Sequence, residues 1–254
     1  MLLVIDVGNT NTVLGVYDGD VLKHDWRIRT VPDHTVDEYG MLIYNLHMTS
    51  GIGTNDITAI IISCVVPPML NILENICKKY FNIQPLVVGP GIKMGMPILY
   101  SNPKEVGADR IVNAVAAYDR WKRDMIIIDF GTAITFDYVS AKGEYMGGCI
   151  SPGIGIAGEA LFTRTAKLPR VEFTKPKNIV TKDTVSGIQA GLIFGFAGLV
   201  DGIIERMKAE IKGDPLVVAT GGMARVVAAE TRTIQIIDDN LTLEGLLLIY
   251  KLNK

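Results

Sequence analysis

Two stretches of the chain share one pattern, an apolar β-type run that reaches an aspartate and then turns through glycine and threonine. The first is Val4-Ile-Asp-Val-Gly-Asn-Thr-Asn-Thr-Val13, and the second is Met125-Ile-Ile-Ile-Asp-Phe-Gly-Thr-Ala-Ile-Thr-Phe136. The second copy begins near the midpoint of the 254 residues. The repeat therefore predicts two similar half-domains, each opening with a strand and a tight turn.

The turn in each copy has the chemistry of an anion site. A glycine lets the backbone approach a phosphate closely, and neighbouring N–H groups with Asn and Thr side chains can donate hydrogen bonds to its oxygens. A carboxylate at the strand end, Asp6 in the first copy, can hold a hydrated cation beside the phosphates. An isolated Asp6 is more often a structural turn residue. The repeat of the pattern at Asp129 instead favours a functional role, in which the two carboxylates line opposing walls of one cleft that holds a nucleotide triphosphate and its cation.

Turn signals and hydrophobic periodicity place further elements after each copy of the motif. We expect strands at residues 11–17, 21–28, 57–65, 84–88, 125–130, 133–139, 144–150, 216–220 and 234–237. We expect helices at 35–50, 67–80, 110–121, from 154, 184–211, after 222 and from 241. The chain is thus predicted to be an α/β protein of two half-domains, residues 1–118 and 119–254, with mixed sheets flanked by helices.

Bulk properties narrow the class of protein. An apolar content of 48% and a charged content of 20% are typical of a globular chain with a substantial core. A net charge of −2 with scattered Lys and Arg disfavours a nucleic-acid partner, so we expect a small-molecule ligand. The three cysteines lie far apart in the sequence, are odd in number and have no C-x-x-C spacing, which argues against a disulfide framework or a structural zinc site. With no signal peptide and no long uninterrupted apolar run, we expect a soluble cytoplasmic protein without a membrane partner.

Two glycine-rich segments have competing interpretations. Gly153-Ile-Gly-Ile-Ala-Gly158 matches the dinucleotide pattern G-x-G-x-x-G, but Ser151-Pro152 separates it from the preceding strand. A glycine-rich helix start that packs against a strand or lines a cleft is the simpler interpretation. Gly221-Gly222 follows the expected strand at 216–220, where two glycines would let an adenine-ribose group pack on bare backbone. A plain tight turn also explains this pair.

Asp109 is the candidate for catalysis. Phosphoryl transfer needs a carboxylate that accepts and orients the attacking hydroxyl, beside a cation such as Arg110 that offsets developing charge. Asp109 also immediately precedes the predicted helix at 110–121, so a helix N-cap is an alternative and compatible role. The three histidines lack ligand spacing and are interpreted as surface or packing residues, so no metal–histidine site is predicted.

Three motifs, Asp6-Val-Gly-Asn-Thr10, Gly107-Ala-Asp-Arg110 and Asp129-Phe-Gly-Thr-Ala133, closely resemble the type III pantothenate kinases in order and separation. The resemblance continues through Tyr100-Ser-Asn-Pro103, Gly147-Gly-Cys-Ile-Ser-Pro-Gly153, Thr184-Val-Ser-Gly187 and Leu241-Thr-Leu-Glu-Gly-Leu246, so it covers essentially the whole chain. It implies the actin-like ATPase fold of the acetate and sugar kinase, heat-shock-70 and actin superfamily, with two ribonuclease-H-like half-domains. It also implies ATP-dependent phosphorylation of pantothenate, the first step of coenzyme A biosynthesis, by a homodimer.

The resemblance further implies a role for each matching residue. The first hairpin would bind the ATP phosphates and magnesium, with Asp6 reaching the magnesium directly or through water; its residues are Asp6, Val7, Gly8, Asn9, Thr10, Asn11, Thr12 and Val13. Thr132 would also bind ATP, and Asp129 would bind the monovalent cation, K⁺ or NH₄⁺. Asp109 would be the general base for the pantothenate hydroxyl. The pantothenate contacts would be Tyr100, Gly107, Ala108, Asp109, Arg110 and Thr184. The assignment of Gly221 and Gly222 to the adenosine of ATP rests on analogy with the superfamily.

Other functions stay open at this point. A related kinase could act on a sugar or on acetate, and a protein of the same fold could bind nucleotide as a non-catalytic regulator. The intact pair Asp109 and Arg110 favours an enzyme. A nuclease is disfavoured because the chain has an acidic net charge and no basic stripe.

Overall fold

The computed structural model describes all residues, 1–254, and they form two compact units. The first unit comprises residues 1–97, 101–116 and 240–254, and the second comprises residues 98–100 and 117–239. A compact unit need not be continuous in sequence, so the division into domains 1–118 and 119–254 stays a prediction.

The first unit is built on a five-stranded mixed sheet with the strand order β3-β2-β1-β4-β5. Its strands are β1 (Leu2–Val7), β2 (Asn11–Asp18), β3 (Val21–Arg29), β4 (Ala59–Cys64) and β5 (Leu86–Val87). The first three strands form an antiparallel meander, whereas β4 runs parallel to β1. The central strand β1 is buried along nearly its whole length, as expected for a strand that is covered on both faces.

Helices cover both faces of this sheet. They are α1 (Val36–Thr49), α2 (Pro67–Ile76), the part of α3 (Ala108–Trp121) up to residue 116, and α7 (Leu241–Asn253). A capping box fixes the start of α1, because the Thr35 hydroxyl accepts from the Glu38 amide while the Glu38 carboxylate accepts from the Thr35 amide at 2.8 Å. Helix α7 packs against β1 and crosses α3 closely. A Cβ on Gly245 would lie only 2.2 Å from the Val112 carbonyl oxygen, so this crossing needs a glycine.

The second unit repeats the design with the strand order β10-β9-β6-β7-β8. Its strands are β6 (Met125–Phe130), β7 (Ala133–Val139), β8 (Tyr145–Pro152), β9 (Leu216–Thr220) and β10 (Ile236–Ile237). Strands β6, β7 and β8 form an antiparallel meander, and β9 runs parallel to β6 as β4 does to β1. This correspondence confirms the predicted pair of similar halves and the α/β class with mixed sheets.

Three helices accompany the second sheet, α4 (Ile154–Arg164), α5 (Thr184–Ile211) and α6 (Ala224–Ala228). Helix α5 is long and apolar enough, by length and composition alone, to cross a membrane. One face of it instead lies in the core of this unit, where Ile193, Val200 and Ile204 are fully buried with residues of β6 and β7. These buried positions account for part of the apolar character of α5, since 44% of its most apolar window is buried.

Most expected elements are confirmed, with differences at their ends. The helix expected over 67–80 ends at Ile76 and continues as a π-helical turn, Cys77–Phe81. The strands expected at 84–88 and 234–237 are only two residues long, and each pairs with a single neighbour at the edge of its sheet. The helix expected at 110–121 begins two residues earlier, at Ala108.

Candidate active site

The first hairpin turns at Gly8, Asn9 and Thr10, between the end of β1 and the start of β2. The Gly8 amide donates to the Asn11 carbonyl at 3.0 Å, which closes the turn. Thr30 braces the turn from the end of β3: its hydroxyl donates to the Gly8 carbonyl at 2.7 Å, and its amide donates to the Thr10 carbonyl at 3.0 Å. Asn9 and Thr10 stay exposed, so the turn presents its polar groups to solvent in a fixed shape.

Asp6 and Thr12 lie on the two strands that lead into this turn. Thr12 is fully buried, and its hydroxyl lies 3.0 Å from the Thr30 hydroxyl, so its side chain supports the turn from within. Asp6 is half-buried and pairs across the sheet with Ser63 in β4. Burial raises the pKa of the neighbouring Cys64 thiol. The negative charge of Asp6 raises this pKa further, whereas the hydrogen bond of the thiol to a backbone carbonyl lowers it. Asp6 therefore contributes a negative charge at the base of the hairpin.

The segment Gly107-Ala-Asp-Arg110 forms the start of α3. The Gly107 carbonyl accepts from the Ile111 amide at 3.3 Å, and the Asp109 Oδ1 atom accepts from the Arg110 amide at 2.8 Å. A Cβ on Gly107 would lie 2.5 Å from that same oxygen, so the glycine leaves the space that the carboxylate occupies. The N-cap interpretation of Asp109 is wrong, because the helix begins at Ala108 and places Asp109 inside its first turn.

The second copy of the motif places Asp129 near the end of β6. Asp129 pairs across the sheet with Thr135 in β7 and with Thr220 in β9. The next residue, Gly221, has a φ of +95°, and a Cβ there would lie 2.5 Å from the Asp129 Oδ1 atom and 2.7 Å from the Phe130 amide nitrogen. Only glycine therefore allows the Gly221-Gly222 turn to lie against this carboxylate.

The turn after β6 is held by a second close contact. The Gly131 amide donates to the Ala133 carbonyl at 3.1 Å, and the Gly153 amide donates to the Thr132 carbonyl at 3.1 Å. A Cβ on Gly153 would lie 2.3 Å from the Thr132 carbonyl oxygen. Because Gly153 immediately precedes α4, this contact confirms that the G-x-G-x-x-G segment is a glycine-rich helix start packed against a strand end.

The two predicted pantothenate contacts of the second unit lie on different elements. Tyr100 lies against β8, where its ring carbons are 3.3 Å from the place that a Cβ of Gly147 would take and its ring centroid is 6.5 Å from that of Tyr145. Thr184 is the first residue of α5, after the N-cap Asp183. The Ser186 amide donates to the Asp183 carboxylate, and this hydrogen bond lowers the pKa of Asp183.

The structure thus groups the predicted residues within each unit. In the first unit they form the hairpin 6–13 and the helix start 107–110. In the second unit Asp129, Thr132 and the Gly221-Gly222 turn share one end of the sheet, Tyr100 is held by β8, and Thr184 begins α5.

Three structural partners lie outside the sequence motifs. Thr30 donates to the Gly8 carbonyl, and Asp137 accepts from Tyr145, which contacts the segment that carries Tyr100. No motif pointed to Thr30 or Tyr145. Asp137 carried a usable signal, because an aspartate inside an apolar strand must be hydrogen-bonded.

The chemistry of the donor groups suits the cations expected for phosphoryl transfer. No three His, Cys, Asp or Glu side chains cluster so that they could hold a metal ion alone. Mg²⁺ needs no such cluster beside a triphosphate, since one or two carboxylates and the phosphates bind it together. Asp6, next to the turn at Gly8, Asn9 and Thr10, offers such a carboxylate. Asp129 offers the oxygen ligand that a monovalent cation requires, while His47 is fully buried and has the packing role predicted for it.

Comparison with known proteins identifies the family. A family model described as Type III pantothenate kinase matches residues 2–206. A type III pantothenate kinase from Syntrophus aciditrophicus (strain SB) is 72% identical over 253 residues, and one from Geobacter sulfurreducens is 57% identical over 254 residues; each alignment covers 100% of both chains.

Two solved structures share the fold over nearly the whole chain. A Baf family protein from Campylobacter jejuni has a TM-score of 0.63 at 20% identity and covers 98% of this chain and 97% of its own. Component A of the (R)-2-hydroxyglutaryl-CoA dehydratase of Acidaminococcus fermentans has a TM-score of 0.57 at 16% identity, covering 98% and 96%. These similarities concern the fold alone. The sequence relatives decide the family, and the chain belongs to the type III pantothenate kinases.

Proposed function

We propose that this type III pantothenate kinase, which phosphorylates pantothenate in coenzyme A biosynthesis, transfers the γ-phosphoryl group of ATP to the primary hydroxyl with Asp109 as the general base. The observation that carries the proposal is the placement of Asp109. Its carboxylate lies in the first turn of α3, half-buried, with one oxygen bound to the Arg110 amide. Phosphoryl transfer depends on positioning more than on covalent chemistry, and a carboxylate held in one orientation meets that need.

The first hairpin would bind the triphosphate. Its turn is braced by Thr30, and donors that are already fixed bind an anion with little loss of conformational entropy. In the second unit, Thr132 and the Gly221-Gly222 turn would contact the rest of the nucleotide, where the missing side chains allow close approach. These assignments make residues 6–13 the phosphate-binding element of the enzyme.

Two cations would complete the site. Asp6 would hold Mg²⁺ directly or through water, and the ion supplies charge neutralisation on the phosphates when it is bound. Asp129 would hold K⁺ or NH₄⁺, which compensates for the absence of a Walker lysine. If Asp129 binds this cation, the kinase activity should be high in potassium buffer and low in sodium buffer. Equal activity in both would refute it.

The substrate contacts would come from Tyr100, Gly107, Ala108, Arg110 and Thr184. The Arg110 side chain is 6% exposed, and a guanidinium in such a place suits an anionic group such as the carboxylate of pantothenate. The side chains of Tyr100 and Thr184 come from the second unit.

We further propose that the enzyme is a cytoplasmic homodimer that has neither nucleic acid nor a membrane as a partner. The second unit leaves large apolar side chains exposed, including Ile150 at 62%, Ile179 at 68% and Val180 at 85%. Contiguous apolar side chains at a surface mark a face that an assembly covers, and Ile179 and Val180 are adjacent in the chain. A second copy of the chain is the partner that the family resemblance implies.

A coupled assay for ADP release, with and without pantothenate, tests the proposed reaction. The Asp109→Asn variant should keep its fold and its ATP affinity but lose turnover by a factor of roughly 10²–10⁴. Asp119→Asn is the matched control on the same helix, because that carboxylate is exposed and pairs only weakly with Lys122 at 3.5 Å. Unchanged turnover in Asp109→Asn would refute the base assignment. A wild-type chain that binds ATP without pantothenate-dependent turnover would favour the non-catalytic regulator.

A further inference from the structure

The second unit contains a buried polar row that the proposed chemistry does not use. Asp137 lies in the middle of β7 and is 1% exposed. Its Oδ1 atom accepts from the Tyr145 hydroxyl at 2.6 Å, and its Oδ2 atom accepts from the Thr135 hydroxyl at 3.0 Å. Burying a carboxylate is costly unless such hydrogen bonds compensate for its lost hydration. The row therefore fixes the Tyr145 side chain at its hydroxyl end.

The other end of Tyr145 holds the segment that carries Tyr100. Ile98 pairs with Tyr145 in a parallel β-bridge, and the Leu99 amide donates to the Tyr145 carbonyl at 2.8 Å. The two tyrosine rings are in contact, with centroids 6.5 Å apart and planes inclined by 56°. The Tyr100 ring also lies against Gly147, which has a φ of +107° and no side chain to displace it. Tyr145 thus contacts this segment through both its backbone and its ring.

We propose that Asp137 and Tyr145 are positioning residues for pantothenate, which hold Tyr100 in the orientation in which it contacts the substrate. The proposal rests on the proposed function, since it takes Tyr100 to be a substrate contact. In this arrangement the hydrogen bond to Asp137 fixes the Tyr145 ring, and the ring and carbonyl of Tyr145 fix residues 98–100. Loss of the Tyr145 hydroxyl should therefore weaken pantothenate binding without changing ATP binding.

The neighbouring residue Tyr138 offers a matched control. Its hydroxyl donates to the Asp124 carboxylate at 2.8 Å, so it makes the same type of bond in the same sheet. Adjacent residues of a strand point to opposite faces, and Tyr138 packs against the core on the face opposite to Asp137. A purely structural effect of losing a tyrosine–aspartate bond should appear equally in Tyr138→Phe and Tyr145→Phe.

Steady-state kinetics with each substrate varied in turn test the proposal. Tyr145→Phe should raise the KM for pantothenate roughly tenfold, while kcat and the KM for ATP change by less than about twofold. Hydrogen exchange of the Leu99 amide should be faster in this variant. Tyr138→Phe should leave both KM values unchanged. A pantothenate KM in folded Tyr145→Phe that equals the wild-type value, or an equal rise in Tyr138→Phe, would overturn the proposal.

A second variant covers the case in which Tyr145→Phe folds poorly because the buried Asp137 Oδ1 atom has lost the Tyr145 hydroxyl as its donor. The double variant Asp137→Leu/Tyr145→Phe removes both polar partners, which avoids that penalty, and it should show the same selective rise in pantothenate KM. A wild-type chain without pantothenate-dependent turnover would refute the proposed function and this proposal with it. Normal wild-type turnover together with an unchanged pantothenate KM in the double variant would refute the positioning role alone.

Discussion

Replacing Gly221 by alanine should destabilise the second unit strongly, because the added methyl group brings both backbone strain and a steric clash. The backbone has a φ of +95°, a conformation that costs an L-residue about 1–2 kcal/mol. The new Cβ would also lie 2.5 Å from the Asp129 Oδ1 atom and 2.8 Å from the Phe130 carbonyl carbon. The Phe130 carbonyl carbon belongs to the backbone of a central strand, which cannot move aside, and overpacking of this kind costs about 1–3 kcal/mol. The sum is a loss of about 2–5 kcal/mol.

Thermal unfolding followed by circular dichroism measures this loss. For a chain of this length each kcal/mol shifts the melting temperature by roughly 2–4 °C, so Gly221→Ala should melt roughly 4–20 °C below wild type. Gly198→Ala is the matched control: this glycine lies exposed within α5, a Cβ there would meet nothing within 4 Å, and alanine should add about 1 kcal/mol of helix stability. A Gly221→Ala protein that melts within about 2 °C of wild type would show that the close contact with Asp129 is not a real constraint.

Two further predictions concern buried hydrogen bonds. Burial raises the pKa of Asp201 in α5, but hydrogen bonds from the Thr233 hydroxyl and the Arg232 and Thr233 amides outweigh it and lower the pKa below 3.8. The stabilisation from these hydrogen bonds is present above that unfolded value and is lost as the pH falls through the pKa of the folded state. In urea unfolding, Asp201→Asn should therefore be about 2 kcal/mol less stable than wild type near pH 7. This difference in stability should narrow below about pH 4. Thr30→Val keeps the side-chain shape but removes the hydroxyl that braces Gly8, so it should raise the KM for ATP roughly tenfold without changing the KM for pantothenate. Thr49→Val is its control, because the exposed Thr49 hydroxyl bonds only within its own helix.

Local signals in the sequence were sufficient for most of the fold. The turn signals between the strands expected at 11–17 and 21–28, and the periodicity of the helices expected at 35–50 and 184–211, each act within a few residues, and these elements form close to where they were expected. The short edge strands were overestimated because their length depends on a neighbouring strand and not on their own composition. The packing of α7 in the first unit could not be predicted from local signals either, because it depends on the close contact between Gly245 and Val112, which are far apart in the sequence.

The two carboxylates at the centre of the proposed chemistry share a requirement that only the structure reveals fully. A Cβ on Gly107 would lie 2.5 Å from Asp109 Oδ1, and a Cβ on Gly221 would lie 2.5 Å from Asp129 Oδ1. Gly107 is two residues from its carboxylate, so the Gly-Ala-Asp-Arg motif already contained the pair, whereas Gly221 reaches Asp129 only through the pairing of β6 with β9. Of the 26 glycines in the chain, composition could not single out this one. Each carboxylate therefore occupies space that the Cβ atom of any other residue would take. If the two aspartates have the proposed roles, a methyl group at either glycine would alter the reaction, although every proposed catalytic and cation-binding side chain would still be present.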